Sequence, residues 1–286
     1  MDLREFIENT SDLPTLPKVA NRIAAEMEEE SLTAKSLGAI ILDDPSLAAK
    51  LLKLANSAFY GMPKQVVSIE KAVMILGFHA VKSLALSISI YHFFQTGKKT
   101  ILDVQGLWDH SLGCAVACKL LIEKNNRRYA DDAFLFGILH DIGKVVFINK
   151  DLAKMEEVYR KVHNEGVGQS AAEQEVFGFN HQMVGAALLK RWKFPDSLIA
   201  GVKMHHDLPP DTSKLDQDTA QLVRATCVAN QLAKALSLGV STDTNTQAIP
   251  HKMWQFLGVE RPDLPALSAK IKENYDTLIA AWNEFD

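Results

Sequence analysis

Phe136-Gly-Ile-Leu-His-Asp-Ile-Gly-Lys-Val-Val146 is an apolar run that carries an adjacent His140-Asp141 pair, with a glycine on each side of the pair. An imidazole and a carboxylate are costly to bury on apolar helix turns unless they are paired. A metal ion would offset that cost, because imidazole nitrogen and carboxylate oxygen are usual metal ligands. The alternative is a polar pair whose hydrogen bonds are satisfied by neighbouring helix ends. The other histidines of the chain bear on this choice.

Almost every segment of the chain is predicted to be helical, and the sequence has no run of alternating β-branched residues bounded by turns. Pro17 suits the first turn of one helix, and Asp44-Pro45 suits the start of another, with Asp44 as its N-cap. Residues 78–94 are apolar on more than one side, which indicates a central helix. The expected fold class is therefore all-α.

Two polar stretches divide the chain into three predicted parts. Residues 95–106 are rich in glycine and lysine and suggest a subdomain boundary, and residues 239–246 form a polar linker. We therefore predict an N-terminal helical subdomain (1–100), a second helical subdomain (101–240) and a C-terminal helical extension (241–286). The apolar residues of the extension are expected to pack back on the domain.

Composition argues against several classes of protein. The 286-residue chain has a formal net charge of −4 and a pI near 6.1, which is unlike a general nucleic-acid binder. Its three cysteines form no CxxC pair and fit a reducing compartment. The N-terminal residues do not resemble a signal peptide, and the longest apolar stretch, residues 83–94, is too short to span a bilayer. We expect a cytoplasmic protein that binds neither membranes nor nucleic acid.

Five histidines and one aspartate lie on four separate predicted helices, each near a helix end or a glycine. Several helices could therefore bring these side chains to one pocket. Neutral imidazoles together with a carboxylate suit iron, manganese, zinc or nickel rather than calcium. Two or more such ions could clamp a phosphate and activate water. The candidate metal ligands are His110, His140, Asp141, His181, His205 and His206.

The order of these residues resembles the HD superfamily of metal-dependent phosphohydrolases, and most closely its HD-GYP branch. The N-terminal half is similar to an HDOD domain, a relative of that branch. The motifs that carry this second likeness are Leu13-Pro-Thr-Leu-Pro17, Asp44-Pro-Ser-Leu-Ala-Ala-Lys-Leu-Leu-Lys-Leu-Ala-Asn-Ser57 and Ser68-Ile-Glu-Lys-Ala-Val-Met-Ile-Leu-Gly77. The resemblance covers residues 6 to about 240 and implies a multi-helix HDOD fold, with an N-terminal subdomain followed by an HD-like subdomain.

Three positions depart from the pattern of the HD enzymes that the chain resembles. Asn230 stands where those enzymes have a late aspartate ligand, and Gly106 stands where the HD-GYP branch has an acidic residue one turn before the first histidine. The substrate-binding loop that follows the histidine pair in that branch is replaced by Asp207-Leu-Pro-Pro-Asp211. The resemblance therefore implies a site that retains its imidazoles and has lost two carboxylates.

Several other residues have ordinary structural interpretations. Lys144 lies one helical turn after Asp141 and could contact a phosphate, although an ion pair with Asp141 is the favoured interpretation. Trp108, Trp192 and Phe194 flank the histidines and are expected to pack in the core, or to stack on a base if a pocket opens nearby. Four histidines match no motif and are interpreted as surface or core residues. They are His79, His92, His163 and His251.

Two functions remain as hypotheses. The first is a bacterial signal-transduction module of the HDOD type that acts as an output domain or scaffold for signalling proteins, without catalysis, and holds a metal at a degenerate site. The second is a metal-dependent phosphohydrolase that acts on a nucleotide or cyclic dinucleotide. In that case Asp141 and Lys144 would be the catalytic candidates, whereas under the first hypothesis the chain has no catalytic residue.

Overall fold

The computed structural model describes residues 2–8, 16–95, 97, 99–243 and 245–284. In these residues it contains sixteen α-helices and two short 3-10 helices, and no strand. The first eight are α1 (Leu3–Glu8), α2 (Lys18–Glu28), α3 (Ala34–Leu42), α4 (Pro45–Ala55), α5 (Ile69–Leu76), α6 (Phe78–Phe94), α7 (Val104–Glu123) and α8 (Ala130–Leu139). The others are α9 (Ile142–Lys150), α10 (Leu152–Glu165), α11 (Gln169–Phe177), α12 (His181–Arg191), α13 (Asp196–Met204), α14 (Gln217–Ala235), α15 (His251–Phe256) and α16 (Leu264–Asn283). The predicted all-α class is confirmed.

The N-terminal helices α2 to α5 pack around α6, which is buried along most of its length. Polar side chains start three of these helices at the positions that the sequence favours. Thr33, Asp44 and Ser68 each accept a hydrogen bond from a backbone N–H in the first helical turn, at 3.0–3.2 Å. Residues 13–15 of the first motif lie outside the described part of the chain.

Two glycines of the opening stretch allow helices to approach closely. A Cβ atom on Gly137 would lie 2.3 Å from Ala115 Cα, so α8 packs directly against the backbone of α7. A Cβ atom on Gly143 would lie 2.0 Å from the carbonyl oxygen of His181, so α9 meets the start of α12 in the same way. Larger residues at either position would push apart the helices that carry the candidate ligands.

The last helix, α16, returns to pack against α7 and α4. Trp282 near its end lies with its ring centre 5.0 Å from Trp108 and 5.7 Å from Tyr91. Met253 in α15 and Leu257 directly after that helix are fully buried. Residues after 250 therefore belong to the same hydrophobic core as the helices around the histidines.

The structure corrects one local expectation. The apolar residues around His140 and Asp141 predict helix turns that include this pair. Instead, this pair forms the junction between α8 and α9, and Asp132 lies in the first turn of α8. The Asp132 carboxylate pairs with Lys82 at 2.7 Å and with His79 at 2.9 Å. No helix in the described ranges is long and apolar enough to cross a membrane.

Candidate metal centre

The six candidate ligands lie together where five helices meet. His110 is in α7, the His140-Asp141 pair joins α8 to α9, His181 is the first residue of α12, and His205 and His206 directly follow α13. Five of the six are at most 1% exposed, and only the side chain of His206, at 14%, reaches the surface. The structure thus brings together the set that the sequence analysis named, in a closed environment.

The six residues form two overlapping sets. Ligand atoms of Asp141, His181, His205 and His206 lie within 4.8 Å of one another, and so do those of His110, His140 and Asp141. Asp141 belongs to both sets. Its Oδ1 atom is 3.4 Å from His181 Nε2 and 3.5 Å from His205 Nε2, while Oδ2 is 3.3 Å from His140 Nε2. One carboxylate therefore bridges a four-ligand set and a three-ligand set.

Two of the imidazoles are oriented by backbone carbonyls of their own helices. His140 Nδ1–H donates to the carbonyl of Gly137 and His205 Nδ1–H donates to that of Val202, both at 2.7 Å. Each histidine sits at the C-cap of its helix, where carbonyl groups lack helical partners. With the proton on Nδ1, the lone pair of Nε2 points into the cluster, which is the arrangement that a metal ligand needs.

A carboxylate orients His181, and a second carboxylate lies near His206. His181 Nδ1–H donates to Glu173 Oε2 at 2.6 Å, and the same oxygen accepts the His181 backbone N–H at 2.7 Å. His206 Nδ1 lies 3.8 Å from Asp243 Oδ2. His181 consequently directs Nε2 inward, as His140 and His205 do, and the Nε2 atom of His206 also faces the cluster.

Inward-facing nitrogens of the cluster lie close enough for their lone pairs to repel each other unless a cation lies between them. His181 Nε2 is 3.2 Å from His205 Nε2, although the Nδ1 protons of these two rings leave a lone pair on each Nε2 atom, and it is 3.0 Å from His206 Nε2. In addition, His140 Nε2 and Asp141 Oδ1 are buried without a hydrogen-bond partner. Buried acceptors without donors are costly, and a divalent ion in the four-ligand set would satisfy Asp141 Oδ1 together with the histidine nitrogens of that set. The residues present therefore fit a metal ion.

The local environment keeps these groups in the form that binds metal. Burial lowers the pKa of His110 and of His205 to about 3, and it also lowers the pKa of His206. Burial alone would raise the pKa of Asp141, but the neighbouring His140 and Lys144 hold it well below its usual range. At pH 7 the three imidazoles are neutral and the carboxylate is ionised, as metal coordination requires.

Lys144 is fully buried, and its Nζ atom lies 2.8 Å from Asp141 Oδ2. The ion pair favoured by the sequence analysis is therefore present. Trp108, Trp192 and Phe194 are buried in the hydrophobic core, as expected. The other four histidines lie outside the cluster.

Asn230 obstructs the three-ligand set. Its Oδ1 atom lies 3.2 Å from His110 Nε2, while His110 Nδ1 faces the carbonyl of Leu238 at 3.3 Å. A neutral imidazole has one N–H and can donate to only one of these oxygens. If Nδ1 donates to Leu238, the Asn230 amide must turn so that its Nδ2–H, which has no partner in the structure, donates to Nε2. In both arrangements Asn230 engages the nitrogen that a metal would need.

Sequence analysis missed Glu173, which is fully buried in α11. Besides His181, its carboxylate accepts a hydrogen bond from Gln169 Nε2 at 2.7 Å. One signal was available, because Glu173 lies four residues before Phe177 and thus on the buried stripe of its helix. A charged residue on such a stripe needs a partner.

Replacing Glu173 with glutamine is expected to weaken divalent metal binding about 10- to 100-fold, because the variant loses the charge that orients His181. Competition with a chromogenic chelator measures this affinity. Glu175→Gln is the matched control, since Glu175 is exposed on the same helix and pairs with Lys161. Equal metal affinities in the two variants would contradict the assigned role of Glu173.

Comparison with known proteins places this chain in a family. The sequence profile of the HDOD domain matches residues 13–208. The crystal structure of an HDOD domain protein of unknown function from Geobacter sulfurreducens superposes with a TM-score of 0.81 and 26% identity, covering 98% of this chain and 96% of that chain. A candidate phosphohydrolase from Shewanella amazonensis SB2B superposes with a TM-score of 0.74 and 24% identity, covering 99% and 98% of the two chains. This second likeness shows the fold alone.

Among curated proteins, an uncharacterized protein from Treponema pallidum (strain Nichols) is 25% identical over 257 residues, which cover 88% of this chain and 47% of that protein. The chain spans less than half the length of the curated relatives it matches.

Proposed function

Because this chain belongs to the HDOD family, we propose that it is a bacterial, cytoplasmic signal-transduction module that acts as an output domain or scaffold and holds one structural divalent metal ion. The observation that carries the proposal is the closure of the site. Every candidate ligand except His206 is at most 1% exposed. A phosphodiester substrate would have to reach an ion that these side chains surround.

The number of ligands also favours a structural role. Asp141, His181, His205 and His206 provide four donors, which is the usual number in a closed structural zinc site, whereas catalytic sites commonly provide three and leave a position for water. Iron, manganese, zinc and nickel all suit three imidazoles and one carboxylate. When bound, the ion would supply positive charge that holds the ends of α9, α12 and α13 together.

Charge favours one ion over two. Among the described residues, the charged side chains that are paired with the clustered ligands or lie beside them, together with the partner of Asp243, are three carboxylates and two ammonium groups, with a net charge of −1. They are Asp141, Glu173, Asp243, Lys144 and Lys234. One divalent ion would bring the buried cluster to +1, whereas two would bring it to +3. Because unbalanced buried charge is costly, the cluster supports a single ion.

A hydrolysis assay separates this proposal from the phosphohydrolase hypothesis. We expect purified protein loaded with Mn²⁺ or Fe²⁺ to hydrolyse cyclic di-GMP no faster than a His205→Ala variant, because the substrate cannot reach the ion. The measurement is the product formed over time by chromatography. Clear turnover that disappears in the variant would overturn the scaffold proposal and favour an enzyme in which Asp141 and Lys144 act. Signalling proteins as partners follow from the scaffold role, and a nucleotide ligand belongs to the enzyme hypothesis.

A further inference from the structure

A segment after α14 forms part of the wall of the site. We call residues 236–243 the strap. Its Leu238 carbonyl faces His110 Nδ1 at 3.3 Å, and the backbone N–H of Val240 donates to the carbonyl of Gly106 at 2.8 Å. The strap is thus bonded to the first two turns of α7, beside the first candidate ligand.

Close backbone contact fixes the path of the strap. Gly239 has a φ of +67°, and a Cβ atom there would lie 2.1 Å from the backbone nitrogen of His110. A Cβ atom on Gly106 would lie 2.4 Å from Asp103 Oδ2 and 2.7 Å from Val240 Cβ. The Asp103 side chain and the strap therefore occupy the space that a side chain at position 106 would need. This explains why an acidic residue one turn before His110 is incompatible with this structure.

The same strap ends in a buried carboxylate. Asp243 is 7% exposed and forms an ion pair with Lys234 of α14, which is also buried at its side chain. Asp243 Oδ2 lies 3.8 Å from His206 Nδ1, while the other ring nitrogen of His206 faces His181. No motif in the sequence analysis pointed to Asp243. It is separated from His206 by 37 residues, and α14 lies between them.

We propose that Asp243 is a positioning residue of the metal centre, which acts through His206 and couples closure of the strap to metal binding. This inference rests on the proposed metal site. Asp243 lies on the outward Nδ1 side of His206, as Glu173 lies at the outward Nδ1 of His181, but at 3.8 Å instead of 2.6 Å, so a small shift of the carboxylate would complete the hydrogen bond. Such a partner fixes the ring and makes Nε2 a stronger ligand.

The coupling follows from where the two ends of the strap are attached. At one end Leu238 contacts His110, and at the other end Asp243 faces His206 at 3.8 Å, so the strap spans both ligand sets. An ion that holds His206 in place also holds the group that Asp243 faces. By linkage, metal binding stabilises the closed strap to the same extent that strap closure strengthens metal binding.

Cobalt binding tests the proposal, because Co²⁺ bound to imidazole and carboxylate gives a visible absorption spectrum that reports its ligands. We expect Asp243→Asn to bind Co²⁺ about 10- to 100-fold more weakly and with an altered spectrum, and Asp243→Glu to recover most of the affinity. Asp276→Asn is the control, because it removes the same charge from an exposed position on α16 and should leave both affinity and spectrum unchanged.

A second measurement follows the strap itself. Hydrogen exchange of the amides in residues 236–243 is expected to slow when Co²⁺ is added to the parent protein, and to change much less in Asp243→Asn. The double variant Lys234→Met/Asp243→Asn removes both buried charges together and so avoids the unpaired lysine that could unfold the single variant. We expect it to show the same weak cobalt binding.

The outcomes are distinguishable. Parent-like Co²⁺ affinity and spectrum in both the single and the double variant would overturn the role of Asp243 while leaving the metal site intact. If the rates of amide hydrogen exchange in the strap of the parent protein do not change when Co²⁺ is added, the proposed coupling is wrong. A parent protein that binds no Co²⁺ would overturn the proposed metal site and this inference together.

Discussion

Replacing Asp141 with asparagine is expected to lower the free energy of unfolding by about 3–5 kcal/mol, because the change leaves a buried charge without its partner. Lys144 is fully buried, and its ammonium pairs with Asp141 at 2.8 Å. Chemical denaturation of chelator-treated protein measures this loss, so that metal released from the variant does not contribute. The same variant should fail to bind a divalent ion, since Asp141 is the one carboxylate shared by both ligand sets.

The double variant Asp141→Asn/Lys144→Met separates these two effects. With both charges removed, most of the lost stability should return, because replacing a buried ion pair by apolar groups is often neutral. Metal binding should not return, since the carboxylate is still missing. Parent-like metal content in either variant would contradict the assignment of Asp141 as a ligand. An unchanged free energy of unfolding in the single variant would contradict the importance of the ion pair.

Replacing Asn230 with aspartate is expected to raise the metal bound from one to two equivalents per chain. The variant removes the amide that engages His110 Nε2 and adds a fourth donor to the set formed by His110, His140 and Asp141. It also adds one negative charge, which offsets part of the charge of a second ion. Native mass spectrometry after incubation with Mn²⁺ and desalting counts the ions.

Asn230→Leu is the matched control for that experiment. Leucine has a similar size and frees His110 Nε2, but it supplies no carboxylate. We expect this variant to keep a single ion. Two ions bound to Asn230→Leu would mean that the Asn230 amide alone prevents a second ion from binding. One ion bound to Asn230→Asp would mean that Asn230 is not what prevents a second ion from binding.

Much of the fold follows from local sequence patterns. Thr33, Asp44 and Ser68 cap helices because each places a side-chain oxygen before a helical run, and this information is contained within a few residues. The membership of the histidine cluster followed from the order of the residues and the family likeness. The structure adds which atoms of these side chains face one another.

Other features depend on contacts between distant parts of the chain. Glu173 acts through a turn that brings α11 against the start of α12, and Asp243 reaches His206 only because the strap folds back over α7. The junction at His140 and Asp141 was mistaken for the inside of a helix, because an apolar run does not show where one helix ends and the next begins. Such features require the packing of whole helices and cannot be derived from spacing.

The measurement that tests the account most directly is metal content by mass spectrometry on protein purified without an affinity tag, compared with His205→Ala and His140→Ala variants. We predict one equivalent of iron, manganese, zinc or nickel in the parent, none in His205→Ala, and one in His140→Ala, because His140 belongs to the three-ligand set. A parent without metal, even after incubation with Fe²⁺, Mn²⁺, Zn²⁺ and Ni²⁺, would contradict the account and make the histidines a polar core without an ion.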